Sequence, residues 1–218
     1  MKRLVTVVTG AGTGTGAATC RRLAEEGHDV VVGYAEDADA AEAAAEGVRR
    51  SGARALCVRA DTSVSADVER LFTSAEKQLG PVTGLVNNGL LNEVGLSGPS
   101  VSLADTDPAD LRRFVEANLL GPLLCSRRAA RVMTPRGNGV IVNVIPCAAT
   151  SDAPVHHAMT NAAVEALTLT LAEELGPGIR VNAVAPGNTE EVAAAIAWLM
   201  SPDASYVRGT VIRGTGGR

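Results

Sequence analysis

Short apolar runs alternate with longer amphipathic segments along the whole chain. Leu4–Val8, Asp29–Tyr34, Arg54–Ala60, Val82–Asn87, Val140–Ile145, Ile179–Val184 and Thr210–Arg213 read as strands. Between them Gly16–Glu26, Asp37–Arg50, Ser65–Leu79, Pro108–Met133, Pro154–Leu175 and Glu190–Met200 read as helices. Asp107 is the expected N-cap of the fourth, because Pro108 suits a first helical position. Continuously apolar strands separated by helices imply a parallel sheet covered on both faces. Right-handed crossovers then give an α/β fold, a doubly wound seven-stranded parallel sheet that binds ligands at its strand C-terminal ends. No linker, repeat or low-complexity tract divides the chain, so residues 1–218 are expected to be one domain.

At 218 residues the chain can bury a large core. Its apolar residues are mainly Ala, Val and Leu, and its aromatics are Tyr34, Phe72, Phe114, Trp198 and Tyr206. That suits close helix-on-sheet packing and offers little for stacking bases. The net charge of −4 and the lack of any Lys/Arg block argue against a nucleic-acid partner. Cys20, Cys57, Cys125 and Cys147 are widely spaced with no metal-ligand pattern, so reduced thiols, no metal and a cytoplasmic setting are expected. The first apolar run is too short for a signal peptide, and no stretch is long enough to span a bilayer.

The candidate chemistry begins at Thr9-Gly-Ala-Gly-Thr-Gly-Thr-Gly16, which follows a strand and opens a helix. Glycines there let the backbone approach a pyrophosphate, whose charge the N–H groups of the helix start attract. A tight turn with no ligand is the plainer alternative.

The spacing Thr-Gly-x-x-x-Gly-x-Gly resembles the short-chain dehydrogenase/reductase family, whose fold is of Rossmann type. Matches continue along the chain. They are Asp61-Thr-Ser after the third strand, Asn87-Asn88-Gly89 after the fourth, Asn118 in Asn-Leu-Leu-Gly, and Val184-Ala-Pro-Gly187. Val207-Arg-Gly-Thr-Val-Ile with Gly216-Gly217 resembles the family's last strand. The resemblance implies NAD or NADP held by Thr9, Gly10, Gly14, Gly16, Tyr34, Asp61, Asn87, Gly89, Pro186 and Gly187. Family members that prefer NADP place Arg in the glycine loop or after the second strand, where this chain has Thr13 and Ala35. Members that prefer NAD place an acid at that strand's end, where Tyr34 stands with Glu36 and Asp37 just beyond. The expectation leans to NAD, with helix capping as the competing role for the two acids.

The catalytic positions of the family are rewritten. Its Tyr-x-x-x-Lys pair falls on His157-Ala-Met-Thr-Asn161, and its Ser falls on Pro146, give or take one residue. Pro has no donor. His157 and Asn161 stand at i and i+4 on one helix face, and an imidazole can serve as acid or base near neutral pH. His156 is the neighbouring candidate, and Asn118 matches the asparagine that anchors a water in the family's proton path. A solvated or capping His157 is the bland alternative. Cys147, with Asp152 nearby, is a lesser candidate nucleophile. After Gly187 the family's substrate-covering lid is largely missing, and Asn92–Thr106 reads as an ordinary connection or a compensating loop.

Three functions remain open. The first is an NAD(P)-dependent reductase or dehydrogenase acting on a small, polyketide-like metabolite with His157 in place of Tyr. The second is a non-redox dehydratase, cyclase or isomerase. The third is an inactive binding protein. The family usually forms dimers or tetramers through its two long helices, and the small side chains Ala158, Ala162, Ala163 and Ala166 would permit close approach.

Overall fold

The computed structural model describes residues 3–12, 14–89, 103–145, 154–185 and 187–214. At its centre is a seven-stranded parallel sheet of order β3-β2-β1-β4-β5-β6-β7. The strands are β1 Leu4–Val8, β2 His28–Tyr34, β3 Ala55–Arg59, β4 Val82–Asn87, β5 Gly139–Val144, β6 Ile179–Val184 and β7 Val211–Ile212. The helices are α1 Gly14–Glu25, α2 Ala38–Arg50, α3 Ser65–Gln78, α4 Pro108–Val115, α5 Gly121–Met133, α6 Val155–Glu174 and α7 Thr189–Met200. Three strands begin and end where the apolar pattern placed them, and the other elements differ by one or two residues, as frayed ends commonly do.

Side chains that alternate along the strands feed two cores. Val8, Val30, Val32, Val142 and Val144 meet Leu23, Ala41, Ile196 and Leu199 of α1, α2 and α7. Val5, Val7, Val31, Ile141 and Val181 meet Leu71, Phe72, Cys125 and Met133 of α3 and α5. All of these are buried, which is why the strands read as unbroken apolar runs.

The expected single helix Pro108–Met133 is corrected. A π-helical turn, Glu116–Leu120, separates α4 from α5. The cause is Pro122, which has no N–H to give the carbonyl of Asn118 one turn back. The chain widens instead, and Gly121 N–H bonds to the carbonyl of Glu116. Such turns occur often at functional sites.

The end of the sheet away from the glycine loop is held by charge. Asp29 is 1% exposed and accepts from Arg54 N (2.9 Å), Nε (2.9 Å) and Nη2 (2.6 Å). Arg3 Nε lies 3.2 Å from the other carboxylate oxygen. The two guanidiniums continue to carbonyls at the ends of α1 and α3, Ala24 (2.7 Å) and Leu79 (2.8 Å). One buried carboxylate thus ties β1, β2 and β3 to two helices, at the end opposite the site.

His28, at the start of β2, is buried and its Nδ1 lies 2.8 Å from Thr6 Oγ1. Burial, the largest cause, pulls its pKa below the ordinary histidine value. The unfolded chain therefore binds a proton at His28 that the folded chain refuses. This costs no stability above about pH 6.5 and costs progressively more as pH falls below it, down to the lower folded-state pKa. Melting temperatures of wild type and His28→Gln between pH 5 and 8 should converge toward acid. Parallel curves would refute this.

Candidate active site

β1 and β4 are neighbours whose crossovers depart in opposite directions, so a crevice opens at their C-terminal ends. The crevice is closed at its base by one side chain. Thr9 Oγ1 accepts from Asn88 N and Gly89 N, at 3.0 Å each, and Thr9 N donates to Val86 O at 3.0 Å. Asn88 Nδ2 reaches back to Gly10 O at 2.9 Å. Gly10 has φ +57°, and a Cβ there would lie 2.5 Å from Gly89 Cα. A Cβ on Gly16 would lie 2.3 Å from Gly10 O. These two glycines are required by the packing of the turn itself, while Gly14, with φ +53° and open space around it, starts α1.

Above this turn lies a cleft of about 510 Å³. Gly10 and Gly89 form its floor, Ala35, Glu36 and Asp61–Ser63 one wall, and Arg113, Glu116 and Ala117 the other. The donor set fits a dinucleotide. α1 carries no acid in its first turn, so its positive end is open to a bound anion. Asp61 shapes the rim, its Oδ1 accepting from Ser63 N (2.9 Å) and Oγ (2.7 Å). Next to it, Thr62 lies so close to Gly121 that a Cβ there would be 2.6 Å from Thr62 Oγ1. The π turn is thereby set against the nucleotide wall.

Two residues expected among the cofactor contacts, Asn87 and Tyr34, are not among those that line this cleft. Asn87 points into the interior, where its Nδ2 donates to Asn143 Oδ1 (2.8 Å) and Ser126 Oγ (3.0 Å). Asn143 Nδ2 continues to Thr168 Oγ1 at 2.9 Å, making a buried polar ladder from β4 through β5 to α6. Tyr34 is half-buried against the core beside α1 and α2. Asp37 caps α2 through Ala40 N at 2.8 Å, so of these two acids Glu36 is the one that lines the cleft. Gly187 lies in the link between β6 and α7, which runs only from Ala185 to Asn188.

On the catalytic side, α6 packs against α4 and the π turn. His157 (7% exposed), His156 (6%), Asn161 (4%) and Asn118 (0%) are all buried there. A solvated His157 is therefore excluded. Phe114 joins them edge-on, with ring centroids 4.7 Å from both imidazoles, which are themselves 4.7 Å apart. Phe114 and Asn118 share the inner face of the α4–π run, and Arg113, Glu116 and Ala117 face the cleft. Pro146, Cys147, Asp152 and Pro186 lie outside the described residues, as do Thr13, Gly216, Gly217 and positions 92–102. Among the described residues no group of three or more His, Cys, Asp or Glu is placed to hold a metal. Cys20, Cys57 and Cys125 are free, and burial pushes the Cys125 thiol up to about 12. No helix among the described residues is long and apolar enough to cross a membrane.

Asn88, Ser126, Asn143 and Thr168 were not foreseen as parts of the site. Asn88 had a signal, since it stands inside the Asn-Asn-Gly segment. The ladder had none, because small polar residues inside apolar elements do not announce their partners.

Residues 4–198 match the short chain dehydrogenase family, and the chain belongs to it. It is similar to cis-4-hydroxycyclohexanecarboxylate dehydrogenase of Sinomonas cyclohexanicum, 37% identical over 98% of this chain and 95% of that protein. That alignment runs to 244 positions against 218 residues here, so at least 26 of them have no counterpart in this chain. A putative ketoacyl reductase of granaticin polyketide synthase from Streptomyces violaceoruber is 35% identical over 97% of this chain and 84% of its own length. Among solved structures, LugOII is described as a promiscuous reductase that catalyses keto-reduction at C1 during lugdunomycin biosynthesis. It superposes with a TM-score of 0.87 at 30% identity, over 98% of this chain and 97% of that one.

Gly16→Ala places its Cβ against backbone on two sides. It should lose about 2 kcal/mol of stability, as overpacked sites do, in urea unfolding. Wild-type stability would show that the turn relaxes freely.

Proposed function

We propose that this chain, acting as one domain over residues 1–218, is an NAD(P)(H)-dependent oxidoreductase of a small, polyketide-like carbonyl or alcohol compound. His157 stands in place of the family's Tyr, Asn161 in place of its Lys, and Pro146 near its Ser. The observation that carries this reading is the two-faced α4–π run. One face forms the nucleotide wall, while the other, through Phe114 and Asn118, faces the helix that bears His157. The cleft wall and the helix that bears His157 thus meet across a single element.

When bound, the nicotinamide would supply or accept the hydride. The chain's own work is to place and move the matching proton. The imidazole of His157 gives a proton to the oxygen of a ketone being reduced, or takes it from an alcohol being oxidised. Asn161, one turn on, offers an amide where the family has a cation, so it can bond a hydroxyl without adding charge. The buried ladder Asn87–Asn143–Thr168 holds the ends of β4 and β5 against α6, fixing the helix that carries both residues.

The names of the granaticin and lugdunomycin relatives support a polyketide-like ketone as substrate. The short β6–α7 link supports assigning the missing aligned positions to a reduced lid, which would admit a bulky or carrier-bound compound. Exposed Leu120, Leu123, Met159 and Leu169 on α5, the π turn and α6, beside exposed Ala158, Ala162 and Ala166, support a homo-oligomer formed through these helices.

A preference for NAD follows from the far wall. A second recess of about 250 Å³ adjoins the cleft, with Arg59 and Arg70 facing Glu36, Asp61 and Asp67. Arg70 is committed to Asp67 at 2.7 Å, and Arg59 Nε to Ala35 O at 3.0 Å. A 2′-phosphate would meet more negative than positive charge, whereas ribose hydroxyls would find Glu36.

Calorimetric titration should show NADH binding at least tenfold tighter than NADPH. Equal or reversed affinities would overturn the NAD assignment, and binding of neither would overturn hydride transfer. With a reducible ketone in hand, His157→Gln, which keeps most of the buried volume, should lower kcat by about a hundredfold or more while keeping a cooperative melt. Near-wild-type turnover would remove His157 from the mechanism.

A further inference from the structure

Asp67, in the first turn of α3, spends both of its carboxylate oxygens. Oδ1 accepts from Arg70 Nη1 at 2.7 Å, and Oδ2 from Asp61 N at 3.0 Å. An acid at this helix position ordinarily reaches back to the N–H of the N-cap. Asp67 passes over the N-cap, Val64, and takes hold of the cleft rim at Asp61 instead. We propose that Asp67 is the residue that sets the cofactor preference, by engaging Arg70, the cation otherwise left to meet the 2′-phosphate that distinguishes NADPH from NADH. The inference rests on the NAD preference argued above and names the side chain that enforces it.

The recess that Asp67 and Arg70 line shares Ala35, Glu36 and Asp61 with the nucleotide cleft. Among the described residues its cations are Arg59 and Arg70, and both turn back onto the chain. Arg70 Nη2 donates to Arg59 O at 3.0 Å, and Arg59 Nε to Ala35 O at 3.0 Å. A run of contacts therefore leads from Asp67 through Arg70 and Arg59 to the residue after β2. Asp67 is its anionic anchor. The Arg70 hydrogen bond, and after it the Asp61 N–H, hold the Asp67 carboxyl below the usual carboxylate range.

Charge in the recess turns on this one residue. Glu36, Asp61 and Asp67 outnumber Arg59 and Arg70, and without Asp67 the two signs would balance. Asp67 also offsets the positive end of α3, because Val64 offers no side-chain oxygen to the helix start. Loss of its charge would uncover that helix end and release a guanidinium at the same time. Both changes favour a phosphate and do little for a neutral ribose hydroxyl.

Calorimetric titration of the whole protein with NADH and NADPH tests this. Asp67→Asn keeps the shape of the side chain and an oxygen for Asp61 N, but loses the charge that holds Arg70. The NADH-to-NADPH affinity ratio should fall about fivefold or more, the size of one exposed charge contact. Arg70→Gln, which strips Asp67 of its counter-charge, should raise the ratio. The double variant Asp67→Asn/Arg70→Gln should return close to wild type. A merely structural role for Asp67 would weaken both nucleotides alike and leave the ratio where it was. An unchanged ratio in Asp67→Asn, or a fall that persists in the double variant, would overturn the assignment. If Asp67→Asn does not fold, Arg70→Gln decides, and a ratio that fails to rise refutes the inference. Wild type that binds neither nucleotide, or NADPH the tighter, would sink the NAD reading and this inference with it. A wild-type preference for NADH that none of the variants moves would sink this inference alone.

Discussion

The hydroxyl of Thr9 is the contact on which the site depends. It accepts two backbone N–H groups from the end of β4, Asn88 and Gly89, and so binds the glycine turn to the neighbouring strand where the sheet changes direction. Everything near the cleft inherits this approach. Gly10 must lack a side chain because Gly89 lies against it, and Gly16 because the carbonyl of Gly10 does. Asn88 completes the clamp by returning its amide to the turn. With the turn closed on protein atoms, α1 starts at a fixed place, and the N–H groups of its first turn face the space where a pyrophosphate would lie.

Pro122 supplies the second constraint. By denying a hydrogen bond to the carbonyl of Asn118, it widens the helix into a π turn there. Gly121, in the same stretch, lets Thr62 come close, so the cleft wall at Asp61–Ser63 and α6 are joined through one irregular turn. A regular helix would advance each following residue by a different angle and would separate Phe114 and Asn118 from Arg113, Glu116 and Ala117 in another way. The irregularity is therefore part of how the site is assembled.

The strands and most helices were legible because doubly buried strands are continuously apolar and the helix starts carry their own caps, Asp37, Asp107 and Asn188 among them. The glycine loop was legible from its spacing and its place between strand and helix. The π turn was not, although Pro122 stood in plain view, because the apolar period of Pro108–Met133 runs on through it. The side-chain partners of Asn87 were hidden for a related reason. The Asn-Asn-Gly segment marks a strand end, but only the partners Ser126 and Asn143, distant in sequence, decide that its first amide turns inward and its second toward Gly10. His157 and Asn161 could be set on one helix face, but the burial of His157 against Phe114 depends on α4, which no local pattern connects to α6.

That burial bears on how the chemistry is kept from water. A lid excludes solvent after substrate binds. Here the link from β6 to α7 is short, and α7 lies directly on α1, with Glu190 bridging to Arg21 at 2.8 Å. Little chain is left in that stretch to close over a substrate. His157 is nonetheless shielded, by Phe114 from one side and His156 from the other, before any ligand arrives. This shielding comes from within the domain, where the His157 ring lies against Phe114. Under the acid–base role proposed for His157, its surroundings are set by permanent neighbours, Phe114 and His156, and not by closure. Packing of α4 on α6 then does for that ring what a closing lid would do elsewhere.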